Sequence, residues 1–311
     1  AMNAHGATRY LLARGSVEEA KELWPFIKWC LEYTRRQLND AGVPRSDRDE
    51  LEGRFPAGEA NLCTATLYYD GLVSAAYLAP LVGEPKSVAN TYRKQAEDLY
   101  KAINKYFSAN VSGFETYRYY DGNTVLRSWI CMPLCFGFKE RAEGTIAALY
   151  SSKLLTVDGL LTAEGDATFW DRSTLYALRG AYVVGAADKA TKQLLDYSHR
   201  RLLGTHVPYP IEAWPEGSQR HLSAESGLYC RIITEGLFGI RPTSFNSFNL
   251  TIQLPSGWDA MALRKIKAFG GDFDIEVKRI SPTKAQVLIK NGYKQKKYLV
   301  KIGEELKNIT I

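Results

Sequence analysis

Histidine is scarce, with four in 311 residues, too few for a histidine-rich metal centre, and no H-E-x-x-H pair is present to hold zinc beside a general base. The chain also lacks the G-x-x-x-x-G-K-[ST] phosphate cradle, a glycine fingerprint after a strand and the G-x-S-x-G elbow. Nucleotide-driven chemistry and nucleophile-elbow hydrolysis are therefore unsupported. Nowhere do eighteen apolar residues run consecutively, and the opening AMNAHGATRYLLARGS holds no apolar stretch long enough for a signal peptide. The expectation is no membrane partner and a cytoplasmic chain as it stands, periplasmic or secreted if a longer parent carries a signal; Ala1 ahead of Met2 leaves such a parent open. Cysteine is sparse and odd in number. Cys30, Cys63, Cys131, Cys135 and Cys230 sit in apolar stretches and read as buried thiols of a reducing compartment, not as a disulfide frame. Cys131 and Cys135 lie one helical turn apart with no second pair or His nearby, so no metal and no cofactor is called for.

What is present is apolar bulk and an excess of rings. A hydrophobic share of 45% over 311 residues supports a sizeable core in one large domain or two smaller ones. The formal charge of +6 is dispersed until Lys294, Lys296, Lys297 and Lys301 cluster near the end. Without interleaved stacking or base-reading groups, that cluster does not read as a nucleic-acid footprint. Nineteen Tyr and six Trp exceed the needs of a core, and many fall in polar loops such as ETYRYYDGN, residues 115–123. Rings with polar tips suit the faces of sugars, and equally finish helix–helix surfaces. The partner expected is an oligo- or polysaccharide; self-association is left open.

From Ser16 to about Gly239 the apolar period is helical. Ser16 and Glu19 fit a capping box, and Val17, Ala20, Leu23, Trp24, Ile27 and Leu31 then line one face, with Pro25 expected to kink the helix or mark a late start. Eight helices read along this part, including Leu62–Leu81, Val88–Phe107, Val125–Phe138 and Leu222–Gly236. The long connections carry the charges, aromatics and glycines, which places them together at one end of a bundle. After Pro242 short alternating runs separated by PSGWD, GG, SPT and NGY indicate antiparallel strands, with Phe273, Ile275 and Val277 on a dry face. The expected fold is mainly α: antiparallel helical hairpins in a toroid-like pattern over 1–242, then a small antiparallel β module, sandwich-like, over 243–311.

Three stretches carry the functional reading: RSDRDELEGRFPAGEANL (45–62), FWDRS (169–173) and PIEAWPEGSQRHLSAESGLYCRIITEGLFGIRP (210–242). In this order, on helical hairpins followed by a β module, they resemble the six-hairpin (α/α)6-toroid glycosidases, closest in style to the α-L-rhamnosidase-like branch. Glu212, Trp214, His221, Ser223 and the Gly239-Ile240-Arg241-Pro242 turn stand where that branch has its loop glutamate, tryptophan, Ser/His helix and closing turn. The resemblance implies an inverting glycoside hydrolase. Such cleavage needs one carboxylic acid on the leaving oxygen and a second carboxylate on water, about 6.5–9.5 Å apart.

The resemblance puts the proton donor in the first acidic loop, among Asp47, Asp49, Glu50 and Glu52, with Glu50 favoured and Glu52 next; the alternative is a solvated turn. Glu212 and Glu216 compete as base. Glu225, four residues after His221, reads as structural or supporting, while His221 either orients a sugar hydroxyl or caps its helix. Trp170 offers a stacking face, Asp171 and Arg172 offer hydroxyl ligands, and Asp171 could equally cap the helix that follows. Tyr120, Arg127, Trp129 and Trp214 complete the binding set. Two rivals stand beside hydrolysis: a sugar-binding helical module without turnover, including a truncated glycosidase, and a lyase or unsaturated-uronyl hydrolase, which would use Arg127, Arg172 or Arg220 to meet a substrate carboxylate.

Overall fold

The computed structural model describes residues 1–51, 56–204, 208–214 and 223–311. In chain order these form α1 (Met2–Arg14), α2 (Val17–Arg36), α3 (Leu62–Leu81) and α4 (Lys86–Phe107), then β1 (Ser108–Val111) and β2 (Phe114–Tyr117). A 3₁₀ turn, Ser128–Cys131, leads into α5 (Met132–Cys135) and α6 (Ala142–Leu149), followed by β3 (Leu155–Thr156), β4 (Gly159–Leu160) and β5 (Phe169–Trp170). Next come α7 (Asp171–Val183), α8 (Ala187–Tyr197), β6 (Ala213–Trp214) and α9 (Ser223–Arg231). The last strands are β7 (Ile240–Ser244), β8 (Ser247–Leu250), β9 (Ala260–Ala268), β10 (Gly271–Ser281), β11 (Lys284–Asn291), β12 (Lys294–Lys301) and β13 (Leu306–Thr310).

Among the described residues helix accounts for 46% and strand for 24%, which overturns the expectation of a mainly α chain with a small β appendage. The chain is mixed α and β. Strands fill most of the segment from 240 onward, and the long loops also pair with themselves. In SANVSGFETY, Ser112 and Gly113 take positive φ (52° and 90°) and close β1 on β2 as a two-residue hairpin. The helix expected over Val125–Phe138 shrinks to the 3₁₀ turn and α5, because Pro133 fits only at a helix start.

Two compact units are formed. The first comprises residues 1–38, 67–100 and 238–311. Ser16 Oγ accepts the Glu19 N–H at 3.2 Å, as the capping box requires, although the Glu19 carboxylate turns to Tyr10 and Arg14. Helix α2 then runs unbroken through Pro25, burying Ala20, Trp24, Ile27, Cys30, Leu31 and Thr34. A four-stranded sheet, β12-β11-β10-β9, and a three-stranded one, β13-β8-β7, lie in the same unit. Phe273, Ile275 and Val277 are buried in alternation as expected, and Phe273 stacks on Phe248. Gly15 ends α1 at φ 75°; a Cβ there would stand 2.7 Å from the Gly270 nitrogen.

The second unit comprises residues 39–66 and 101–237. Helix α7 is its centre, buried along almost every residue from Asp171 to Tyr182. Two glycines allow the packing: a Cβ on Gly180 would meet Leu134 Cβ at 2.9 Å, and one on Gly144 would meet the Glu115 carbonyl at 2.0 Å. Four of the five cysteines are buried thiols; Cys230 is exposed, contrary to expectation, because it shares the outward side of α9 with Ser223 and Gly227, opposite the buried Glu225 and Leu228.

Candidate active site

All the geometry that follows lies within the second unit. Its first wall is the acidic segment. Asn61 caps α3, accepting the Thr64 N–H at 2.8 Å, and its amide donates to the Arg48 carbonyl at 3.1 Å. Asp49 is buried and accepts the Leu51 N–H at 2.8 Å and the Tyr119 hydroxyl. Burial, reinforced by Cys63 and Asp49, pushes that hydroxyl well above its ordinary pKa, so Tyr119 remains a donor. Asp49 therefore shapes the loop. Glu50, beside it, is half-buried, and Glu52 lies outside the described residues. Glu59 turns to Arg45 at 2.7 Å.

The second and third motifs meet directly. Strands β5 and β6 pair antiparallel, Phe169 with Trp214 and Trp170 with Ala213, so FWDR and EAW lie side by side. Asp171 is buried, and its carboxylate accepts the Ile211 N–H at 2.7 Å and the Arg201 guanidinium at 3.0 Å. The residue expected as hydroxyl ligand or helix cap thus fixes the backbone one step before Glu212.

Arg172 joins the walls. Its Nη1 donates to the Leu51 carbonyl at 2.6 Å, its Nε to Glu225 Oε1 at 2.7 Å, and its Nη2 lies 3.8 Å from Glu212 Oε1. Glu212 is 44% exposed and Glu225 0%. The residue next to Glu50 and the carboxylate of Glu212 are therefore reached by one guanidinium.

The remaining predicted residues take other places. Trp129 and Trp170 are 2% and 3% exposed and pack on each other at 6.1 Å, with Tyr176 at 6.0 Å from Trp129. They back the wall and leave almost no open face. Arg127 is buried with its guanidinium over the Tyr119 ring at 5.7 Å. Tyr120 is half-buried against Gly58, where φ is 64° and a Cβ would stand 2.7 Å from Tyr120 Cβ. Glu216, His221 and Arg220 lie outside the described residues, as does the Trp214 side chain.

Glu225, expected to be structural or supporting, is the buried partner of Arg172. Its Oε2 is buried without a hydrogen-bond partner among the described residues. The sequence places His221 one turn before Glu225 but no Lys or Arg three or four positions away, and the cation that meets it, Arg172, comes from α7.

No protein-family model and no curated protein matches the chain in sequence. Among solved structures, a protein named sialidase superposes with a TM-score of 0.72 at 15% identity, over 95% of this chain and 31% of its own length. The fold is glycosidase-like. A GH78 family rhamnosidase of Bacillus sp. GL1 superposes with a TM-score of 0.51 at 12% identity, again over 95% of this chain. The chain spans 31% of the length of each of these two proteins.

Proposed function

We propose that the chain acts as a glycoside hydrolase of the six-hairpin toroid type, close to the α-L-rhamnosidase-like branch, inverting the anomeric carbon. The observation that carries this reading is the Arg172 guanidinium, bonded to the Leu51 carbonyl and within 3.8 Å of Glu212. It draws the two acidic segments toward one place, as a two-carboxylate mechanism requires.

In the proposed step Glu50 gives its proton to the glycosidic oxygen as the bond to the anomeric carbon breaks. Glu212 removes a proton from the water that attacks from the opposite face. The products are a hemiacetal of inverted configuration and a free alcohol, and the two carboxyls exchange protons with solvent to reset. Arg172 positions the acids, and Asp171 with Arg201 holds the strand that carries the base. Glu52 and Glu216 are the alternates in their loops, and Tyr120, Arg127, Trp214 and His221 complete the proposed sugar set, backed by Trp129 and Trp170.

Nitrophenyl glycosides provide the test, an α-L-rhamnoside first and a sialoside second, with the anomer of the first product read by NMR. Glu212→Gln should lower kcat about 10²–10⁴-fold. Glu50→Gln should do the same on alkyl glycosides and less on nitrophenyl ones, whose leaving group needs little protonation. Turnover in both variants equal to the parent's would remove the assignment, and retained configuration would remove the inverting step. The lyase or uronyl-hydrolase reading would call on Arg127, Arg172 or Arg220: Arg172 is engaged by Glu225 and the Leu51 carbonyl, Arg127 is buried over Tyr119, and Arg220 lies outside the described residues.

A further inference from the structure

Charge is unevenly divided along the chain. Residues 243–311 hold twelve Lys and Arg against six Asp and Glu, a surplus of six that equals the +6 of the whole molecule, so residues 1–242 are balanced. The register of β9–β12 shows where the surplus points. Opposite the buried row of β10, Lys278 faces Gln286, which faces Leu299; Glu276 faces Leu288, which faces Lys297; and Lys284 faces Lys301. Like charges directly across a sheet are destabilising. Lys301 turns to Glu304 at 2.6 Å, and Glu276 is answered by Lys290 at 2.7 Å and Arg264 at 3.7 Å. Lys278, Lys284 and Lys297 have no carboxylate partner among the described residues.

A groove lies on the same face. On β9 the residues opposite Lys278 and Glu276 are Ala260 and Ala262. Their short side chains leave a trench of about 390 Å³ walled by Arg264, Lys278, Gln286, Leu288 and Glu276, the last a carboxylate already met by Lys290 and Arg264. Its volume falls within the about 300–1,000 Å³ of small-ligand sites.

We propose that this trench and its lysine rim bind an acidic polysaccharide, a glycan chain bearing carboxylate or sulfate groups. The aliphatic floor and the Gln286 amide suit the C–H faces and hydroxyls of a sugar, and the lysines supply point charges for its anions. No aromatic side chain stands on the outward rows of β9–β12, and the exposed Tyr293 lies in the β11–β12 turn, so the rows themselves offer no series of stacking rings for a nucleic acid. The exposed Leu299 and Ile280 are set among lysines, not joined in the apolar stripe that a membrane surface needs.

Affinity electrophoresis of the full chain through gels holding polygalacturonate, heparin or neutral dextran tests the proposal. Retention by one or both acidic glycans is expected, with none by dextran, and it should vanish near about 1 M salt, where screening acts over about 3 Å. Whether the carboxylated or the sulfated gel retains the protein identifies the anion. Lys278→Glu combined with Lys284→Glu should weaken binding about tenfold or more, a loss of about 1.4 kcal/mol. Ala262→Trp fills the trench without changing charge and should weaken it comparably, whereas Lys94→Glu with Lys192→Glu, on exposed helix faces, should bind like the parent. Absence of retention, an Ala262→Trp variant that binds like the parent, or tighter binding to duplex DNA or anionic vesicles would each overturn the proposal.

Discussion

At Arg172 one guanidinium is divided among the Leu51 carbonyl, Glu225 and Glu212, and the division has an energetic consequence. Removing the cation would strand Glu225, a carboxylate with 0% exposure; an uncompensated buried charge costs about 3–5 kcal/mol. Arg172→Met should therefore lower stability by that amount in urea unfolding. Glu225→Gln in the same chain should restore most of it, because a neutral amide no longer needs the counter-ion. If the double variant is as weak as the single one, the pair is not energetically coupled. Arg172→Lys should recover stability better than activity, since one ammonium cannot bond in three planar directions.

At the scale of elements, glycine contacts separate two opposite outcomes. Helix α6 rests so closely on β2 that a Cβ on Gly144 would lie 2.0 Å from the Glu115 carbonyl, whereas nothing among the described residues lies within 4 Å of a Cβ on Gly227 in α9. Gly144→Ala should destabilise by about 1–3 kcal/mol or more through overpacking. Gly227→Ala should stabilise by up to about 1 kcal/mol through helix propensity. Thermal melts distinguish them by sign, and equal signs would contradict the packing described. Elements with local causes were legible in the residues: the Ser16 cap, the Phe273-Ile275-Val277 alternation and the two acidic segments. Elements made by pairing at a distance were not. Strands β5 and β6 are two residues each, too short for any period, yet their pairing aligns the motifs around Arg172. Trp170, expected as a stacking face, and Trp129, expected in the binding set, are both buried, because a ring's burial depends on α7 packing, which adjacent residues do not encode. The β1–β2 hairpin has a local cause too, Ser112-Gly113 at positive φ between short strands, but it lies inside a connection whose charges and rings mask the alternation.

At the largest scale, Asp70 in α3 ties the first unit together. It accepts from His5 at 2.6 Å, from Arg9 at 3.0 Å and from Arg241, partners 65, 61 and 171 positions away in sequence. Burial alone would raise its pKa, but Arg241, Arg9 and His5 outweigh burial and hold it well below the ordinary value. The folded form thus binds this proton less readily than the unfolded one. Asp70's contribution is complete above the unfolded value of about 3.9 and fades as pH falls toward the lower folded one. Asp70→Asn should cost about 3–5 kcal/mol at pH 7 and flatten the loss of stability below about pH 4. An acid-unfolding curve unchanged in that variant would show that the network carries none of the acid sensitivity.

The interleaving of the two units also sets an order of assembly on the ribosome. Residue 237 completes the second unit, while the first still awaits residues 238–311. At about 5–20 residues per second that wait lasts roughly 4–15 s, during which α1 and α2 have been made but the Arg241 side chain and the sheets they fold with have not. A nascent-chain protease assay should find the middle of the polypeptide resistant before its beginning.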